Sequence, residues 1–411
     1  MTLNQQKKDK HFPDKASPDR AKPRCIHFNI CGGCTWQHQS YHAQLQAKQA
    51  HLKSLFPIEP LPLIPCETPW HYRNKMEYTF SQNQRGDHFL GLIITHSRNH
   101  VLNLNQCYLA PSWFIKLLKA TYSWWKTSAL LAYHAYSDKG SLRTLTLKEG
   151  KHTKDKMIIL TISGNHDYFI NRSQLNSFKK MVHATLPHDN PSIFLRIHHI
   201  CKNRPTQYYE MHLDGPKQIK EILHINGREI ILHISPSSFF QPNTLQAEKL
   251  YARALELAQP QPTDILFDLY CGIAPVGITF APYTRKVIGI ESCLNAACDA
   301  KTNIHANQLS NMMIHSGNVS KVLAQYSDTP NLCIMSPPRC GLDPTTLNHL
   351  LRLAPQKILY ISCNPTTQSK NISKLLTRGY RLKNIQGIDQ FSHTPHIENI
   401  AILISSSMQS H

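Results

Sequence analysis

Five short apolar runs recur in the C-terminal part of the chain: Ile265–Tyr270, Lys286–Glu291, Met312–His315, Leu332–Met335 and Lys357–Ser362. Apolar residues follow one another in these runs with little polar alternation, the mark of strands buried on both faces. Between them lie segments of helical periodicity: Cys293–Asn307, Val319–Tyr326, Thr345–Leu353 and Thr366–Arg378. Strand and helix alternating at this spacing predict an α/β fold with a parallel, doubly wound sheet covered on both faces. Ile397–Ile404 predicts one more strand. Ligands of such sheets bind beyond the carboxyl ends of the strands. The residues that follow each run are therefore where chemistry is expected.

The pattern before Pro236 is different. Met76–Phe80, Met157–Ile162 and Ile193–Ile197 are short alternating runs and predict strands of an antiparallel or mixed sheet. Gln44–Leu55 and Ser112–Leu131 have helical periodicity. Together they predict a mixed α+β domain. Met1–Arg24 has prolines at 13, 18 and 23 and almost no apolar residues, and predicts a disordered basic tail. Three regions follow: 1–24, 25–235 and 236–411. Their number suits a chain of 411 residues. No internal repeat is present. No apolar run approaches the ~18 residues of a membrane-spanning helix, and the tail lacks the apolar core of a secretory signal. A cytoplasmic, monomeric protein without membrane attachment is expected.

Charge narrows the choice of partner. Forty-five Lys and Arg against 26 Asp and Glu give a formal net charge of +19. Met1–Arg24 carries +4, Cys25–Ser235 carries +11 and the remainder +4. A basic excess concentrated in the first half points to a polyanion, with nucleic acid ahead of a membrane surface because no basic amphipathic helix is evident. In the same half, Tyr72–Tyr78 and Gly140–Arg143 interleave aromatic and basic residues, which suits base stacking and phosphate contact.

At the strand ends, Asp268–Gly277 combines small residues with a helix start, which lets a ligand approach the backbone. Glu291 follows 23 residues after Asp268, the separation at which an acid accepts hydrogen bonds from a ribose diol. G-x-G-x-x-G is absent, so a nucleoside cofactor without pyrophosphate, such as S-adenosylmethionine, fits better than a dinucleotide. Pro337 and Pro338 impose a stiff exit on another strand. Cys363 leaves the sheet just ahead of a helix start, a setting that favours the thiolate and suits a nucleophile. Glu398 opens the last apolar strand, where burial raises a carboxyl pKa and suits it to proton transfer, with His393 and His396 as alternatives.

The chain holds 12 cysteines. Without an export signal they read as metal ligands where clustered and as packing or nucleophilic groups where isolated. Cys25, Cys31 and Cys34 form a dense cluster, and Cys107 is the candidate fourth ligand. Spacing alone leaves an iron–sulfur cluster and zinc both open.

Taken in order, Ser238–Asn243, Asp268–Gly272, Glu291, Ser336–Leu342, Ser362–Pro365 and His396–Glu398 resemble the motifs of the S-adenosylmethionine-dependent uracil-5 RNA methyltransferases. The resemblance runs from Cys25 to near the end. It implies a Rossmann-like methyltransferase sheet, Cys363 as nucleophile and Glu398 as general base. It implies a cofactor near Gln241, Tyr270, Gly272, Glu291, Asn318 and Ser336. It also implies a 4Fe–4S cluster on Cys25, Cys31, Cys34 and Cys107. The target uridine would be unstacked and turned into the pocket.

The cysteine cluster beginning at Cys25 leaves no room for the N-terminal β-barrel that some members carry. That combination is most similar to the branch acting on 23S ribosomal RNA. A transfer-RNA substrate, and a non-catalytic RNA-binding or assembly protein on the same scaffold, are the alternatives. A protein or DNA methyltransferase is disfavoured by the basic, cysteine-clustered first half. Two departures stand out. Ser336 occupies the position of the family's Asp before Pro-Pro-Arg, and Ala274-Pro275 replaces its glycine-rich loop. Pro275 has no N–H to offer a ligand. Both bear on cofactor affinity and rate more than on fold.

Overall fold

The first elements are a helix α1 (Tyr41–Leu55) and a short strand β1 (Leu61–Ile64). There follow β2 (Lys75–Gln82), β3 (His88–Ile93), β4 (Val101–Asn103), α2 (Ser112–Thr127), β5 (Leu142–Glu149), β6 (Lys156–Ser163), α3 (Arg172–Thr185), β7 (Ser192–His199) and β8 (Gln207–Asp214). The structure is a computed structural model describing residues 19–97, 99–200 and 206–406. Cys201 and all but the end of the expected basic tail, residues 1–18, lie outside the described residues.

Strands β2 to β8 make one seven-stranded sheet in the order β4-β3-β2-β5-β6-β7-β8. Every neighbour is antiparallel except β6 and β7, which are parallel because α3 carries the chain across between them. That makes the sheet mixed. Helix α3 starts with a capping box, in which Asn171 and Gln174 each bond the other's main-chain N–H. Leu145, Leu160 and Leu195 form a cross-strand row facing the aromatic residues of α2 and α3.

Strands β9 (Ile219–Ile225) and β10 (Arg228–Ile234) form a hairpin closed by Asn226-Gly227, both at positive φ. A two-residue turn of this kind matches strand twist and accounts for Asn-Gly here. The rest alternates: α4 (Thr244–Ala258), β11 (Ile265–Leu269), α5 (Pro275–Phe280), β12 (Lys286–Glu291), α6 (Leu294–Ala306), β13 (Met312–Ser316), α7 (Val319–Leu323), β14 (Leu332–Met335), α8 (Pro344–Leu353), β15 (Lys357–Ser362), α9 (Pro365–Leu376), β16 (Tyr380–Ile388) and β17 (Glu398–Ser405).

These strands form an eight-stranded sheet in the order β1-β16-β17-β15-β14-β11-β12-β13. Strands β11 to β15 are mutually parallel, and β17 lies antiparallel between β15 and β16. Its two faces are buried in separate apolar clusters, so the sheet is covered on both sides. The order reverses between β11 and β14, the switch point where such sheets bind ligands.

The sheet also recruits chain from the 25–235 region. Strand β1 pairs in parallel with β16, and α1 lies against α9 and β16. The β9–β10 hairpin packs on α4 and α6. Sequence order and spatial order therefore part company at residues 41–64 and 219–234. No helix among the described residues is long and apolar enough to cross a membrane.

Candidate active site

Strand β15 ends at Ser362, and Asn364 caps α9 with its side chain on Thr367 N at 3.3 Å. Pro365 at the first helical position suits this start, since its missing N–H would have no helical partner there. Cys363 is thus fixed between a strand end and a helix cap. Asn364 Nδ2 also donates to Arg339 O at 3.0 Å, tying this loop to the one that follows β14.

Antiparallel pairing places Ser362 opposite Asn399. One step further along, the register sets Cys363 beside Glu398, 35 residues away in sequence. The two groups sense each other. Burial, and then the Glu398 charge, push the Cys363 thiol up, while Arg339 pulls it down. Glu398 is 4% exposed. Burial pushes its carboxyl up to about 8, with the Arg339 guanidinium opposing. Glu398 Oε2 is buried without a hydrogen-bond partner. A half-buried thiol, a buried carboxyl with an idle oxygen and one cation therefore meet at the carboxyl edge of the sheet.

The alternative histidines differ from this. His393 is buried, stacked on Trp70 with ring centroids 3.8 Å apart, and burial lowers its imidazole to about 4. His396 is lowered by burial and by Arg339.

The loop after β11 is shaped by backbone at positive φ: Tyr270, Gly272 and Ala274. Gly272 N donates to Glu291 Oε2 at 2.9 Å and Cys293 N to Glu291 Oε1 at 2.7 Å. Ser292 Oγ also donates to Oε1 at 3.3 Å, so Glu291 staples the β11 and β12 loops together and keeps its free accepting capacity on Oε2. Tyr270 Oη donates to Thr346 Oγ1 at 3.4 Å. Ser336 Oγ is buried and unpartnered. Gln241 arrives from the link before α4, where its Oε1 accepts from Gln390 Nε2 at 3.2 Å.

Asn318 is exposed and caps α7, its Oδ1 accepting from Ser320 N at 3.0 Å and Lys321 N at 3.3 Å. Only its amide nitrogen remains for a ligand. Pro275 stands at the first position of α5, where no helical N–H is required.

Asp268 stands in the motif that the sequence singles out, but without a role of its own there. It is 1% exposed, and burial pushes its carboxyl up to about 7. Oδ2 accepts from Gly277 N at 2.9 Å, and Oδ1 has no partner. The available signal was the same one that marked Glu398: an acid within an apolar run. Orphaned oxygens on Asp268 and Ser336, a positive-φ loop and the Glu291 staple fit the polar groups of a nucleoside cofactor at the switch point.

Cys25, Cys31, Cys34 and Cys107 line one cavity of about 390 Å³. Burial pushes the Cys31 thiol up to about 11 and Cys34 up to about 12, and neighbouring thiols add to both. Among the described residues, no group of three or more His, Cys, Asp or Glu side chains could hold a metal ion. The expected metal centre is thus not formed as a coordination shell, zinc's tight tetrahedron included.

That cavity adjoins the site. Arg73, Phe240 and Pro242 line it as well, next to Gln241. Thr35 N and Trp36 N, just after Cys34, both donate to His393 O at 3.0 Å, in the loop that leads to Glu398.

Residues 40–406 match the family model described as tRNA (Uracil-5-)-methyltransferase. An uncharacterized RNA methyltransferase of Protochlamydia amoebophila is 44% identical, over 94% of this chain and 92% of its own length. Another, from Chlamydia muridarum, is 38% identical over 92% and 97% of the two chains. The tRNA (uracil-54, C5)-methyltransferase of Pyrococcus abyssi superposes with a TM-score of 0.72 at 23% identity, covering 95% of this chain and 87% of that one, and shares the fold. A family match along nearly the whole chain, with relatives matching over almost their full length, makes this protein a member of the uracil-5 RNA methyltransferase family, an S-adenosylmethionine-dependent enzyme acting on RNA.

Proposed function

We propose that this enzyme methylates C5 of a uridine in 23S ribosomal RNA, with Cys363 as nucleophile and Glu398 as base. The carrying observation is the β15–β17 register that sets these two residues side by side. Cys363 Sγ bonds to C6 of the uracil, which makes C5 nucleophilic. S-adenosylmethionine, when bound, supplies the methyl group that C5 takes. Glu398 then removes the C5 proton, the C5–C6 double bond re-forms and the thiolate leaves. Arg339 opposes the upward shift of both groups and so favours their ionised forms. Gln241, Tyr270, Gly272, Glu291 and Ser336 hold the cofactor, with Asn318 at the margin through its amide nitrogen.

The same reading divides the chain by role. Residues 236–411 catalyse, 25–235 grip RNA, and 1–24 form a basic tether. The enzyme works as a cytoplasmic monomer. The family resemblance, with the four thiols lining one cavity, supports a 4Fe–4S cluster over zinc. Its role is structural, given that the Cys34 loop is bonded to the Glu398 loop. Iron with acid-labile sulfide in anaerobically purified protein is the expected result, and zinc without sulfide overturns this part.

The cysteine quartet, which resembles the ribosomal branch, favours 23S RNA. Transfer RNA is the second reading, favoured by the family description and by the Pyrococcus protein's name. Nucleoside mass spectrometry of ribosomal and transfer RNA, from cells with and without the gene, separates them. Loss of 5-methyluridine from ribosomal RNA is expected, and loss from transfer RNA alone overturns the 23S assignment. Cys363→Ala tests the non-catalytic alternative: methyl transfer that survives this change removes Cys363 from the mechanism.

A further inference from the structure

The face of the seven-stranded sheet that is turned away from α2 and α3 has two parts. Ile159 and Phe194 are buried in the apolar cluster shared with the methyltransferase sheet. Two residues along, the same face carries the cross-strand row Thr144, Thr161, Arg196 and Glu210. There the two halves of the molecule separate and leave a cleft of about 440 Å³. Ser237 and Asn295, bonded to each other at 2.9 Å, form its opposite wall. They lie four residues from Gln241 and Glu291 respectively, so the cleft opens beside the proposed cofactor edge. Cys363, Glu398 and Arg339 do not line it.

The cleft holds unused hydrogen-bonding capacity. Register shifts between Leu142 and Thr144, and Arg143 projects into the cleft at this irregularity. Its Nη1 is buried with no partner. Thr161 is 5% exposed, and its Oγ1 also lacks a partner. Buried donors of this kind carry a desolvation cost until an acceptor arrives.

Two cations and two acids line the cleft, and burial lowers both lysines behind it, Lys148 to about 7. Arg143 and Arg196 face the cleft, and Lys75 and Lys148 stand close behind Arg196. The facing acids are Glu77 and Glu210. Arg196 holds Glu210 through Nε at 3.0 Å and Nη2 at 2.6 Å, and Glu77 accepts from Thr146 Oγ1 at 3.0 Å. Arg143 is left with no carboxylate partner.

Beside these groups lies an aromatic platform. His198 and Tyr208 pair across β7 and β8 with ring centroids 4.7 Å apart, tilted by 36°. Tyr208 is 56% exposed. His198 stays uncharged, its imidazole lowered to about 4 by burial and then by Arg143. Arg143 stacks on the Tyr133 ring at 4.0 Å but has a free Nη1 and no carboxylate partner; a neutral aromatic surface next to such a guanidinium suits a base with its phosphate.

We propose that this cleft binds a second, non-reacting nucleotide of single-stranded RNA, its base stacked on Tyr208 and His198 and its phosphate accepting hydrogen bonds from Arg143 and Thr161. The volume lies within the ~300–1,000 Å³ common for small-ligand pockets. This site would hold the strand while the target uridine reaches Cys363, and it rests on RNA being the substrate.

The test is fluorescence anisotropy of the full-length protein with a labelled, random-sequence, single-stranded RNA 12-mer at low salt. Tyr208→Ala and Arg143→Ala should each weaken binding by roughly tenfold or more, the loss expected of one stack or one charged contact. Tyr208→Phe keeps the ring and should bind as the wild type does. The same RNA carrying 4-thiouridine should photo-crosslink to the peptide containing Tyr208. Unchanged affinity in both alanine variants, or no measurable binding by the wild type, overturns the proposal. Methyl transfer by the wild type into total cellular RNA is scored separately. A wild type that transfers no methyl group, but loses RNA affinity on Tyr208→Ala, supports the cleft and overturns the catalytic reading instead.

Discussion

Lys48 Nζ lies 2.5 Å from Asp389 Oδ1, with both side chains about 1% exposed. Tyr41 Oη and Ser392 Oγ donate to Asp389 Oδ2 at 2.6 and 2.7 Å, and Lys48 also donates to Phe391 O at 3.1 Å. The pair joins α1 to the start of the loop that ends at Glu398. It is a polar anchor for the base, supplied by a helix from the far end of the sequence.

Removing one partner of such a pair strands the other. Lys48→Met should cost on the order of 3–5 kcal/mol, because Asp389 would stay buried without a counter-charge. Chemical denaturation of the full chain measures it. Lys48→Met combined with Asp389→Asn should recover part of the loss. A single variant as stable as the wild type would show that the pair does not hold this loop.

Ser336 predicts the reverse pattern. Its buried Oγ has no partner, so the free protein gains nothing from it. Ser336→Ala should leave the thermal midpoint unchanged or slightly raised. Affinity for S-adenosylmethionine or RNA should fall, by about 1 kcal/mol for one lost neutral hydrogen bond. Calorimetry with the cofactor and anisotropy with RNA identify which ligand Oγ serves. If both affinities stay at the wild-type value, Ser336 belongs to neither site.

How far the sequence could carry this reading depended on locality. Strands β11 to β15 stand out because residues such as Leu266, Ile288 and Ile334 lie in unbroken apolar runs. Strand β16 does not, since Arg381, Lys383 and Asn384 interrupt it around an irregular register. Strand β1 carries a proline, and its partner is more than 300 residues away. Cys363 and Glu398 were legible as positions at strand ends, whereas their adjacency is a matter of β15–β17 register. Lys48 was hidden for the same reason: a lysine in a helix reads as solvated until the fold buries it. The cleft at Arg143 and Thr161 needs two halves of the chain to exist at all.

If Glu398 removes the C5 proton, its loss should stall the reaction after both new bonds have formed. Glu398→Gln with RNA and S-adenosylmethionine should then accumulate protein covalently joined to RNA through Cys363, seen as a band that resists denaturing electrophoresis. Turnover should fall by about 10²- to 10⁴-fold. Adding Cys363→Ala should abolish the band. Wild-type turnover in Glu398→Gln would assign the proton to another base, with His396 the first to test.

The same carboxyl should trade stability for activity. Burial raises Glu398 to about 8 in the folded chain, against roughly 4.3 when unfolded. Between those values the folded state binds a proton that the unfolded state has released. Unfolding is then favoured as pH rises, so this group's contribution falls from about pH 4 to pH 8. Glu398→Gln removes the cost of ionisation. It should melt with the wild type at pH 4 but above it at pH 8.5, by roughly 2 °C or more. Wild-type single-turnover release of free methylated RNA from the Cys363 adduct, the step that needs the base, should climb over the upper part of that range as Glu398 ionises, and level off above about 8. Arg339→Ala should move the climb to higher pH, because the guanidinium is what holds both Glu398 and Cys363 down. Differential scanning fluorimetry across pH reads the first effect and rapid-quench kinetics the second. Melting curves of wild type and Glu398→Gln that stay parallel from pH 4 to 8.5 would mean that this carboxyl is not the buried acid whose ionisation limits the enzyme.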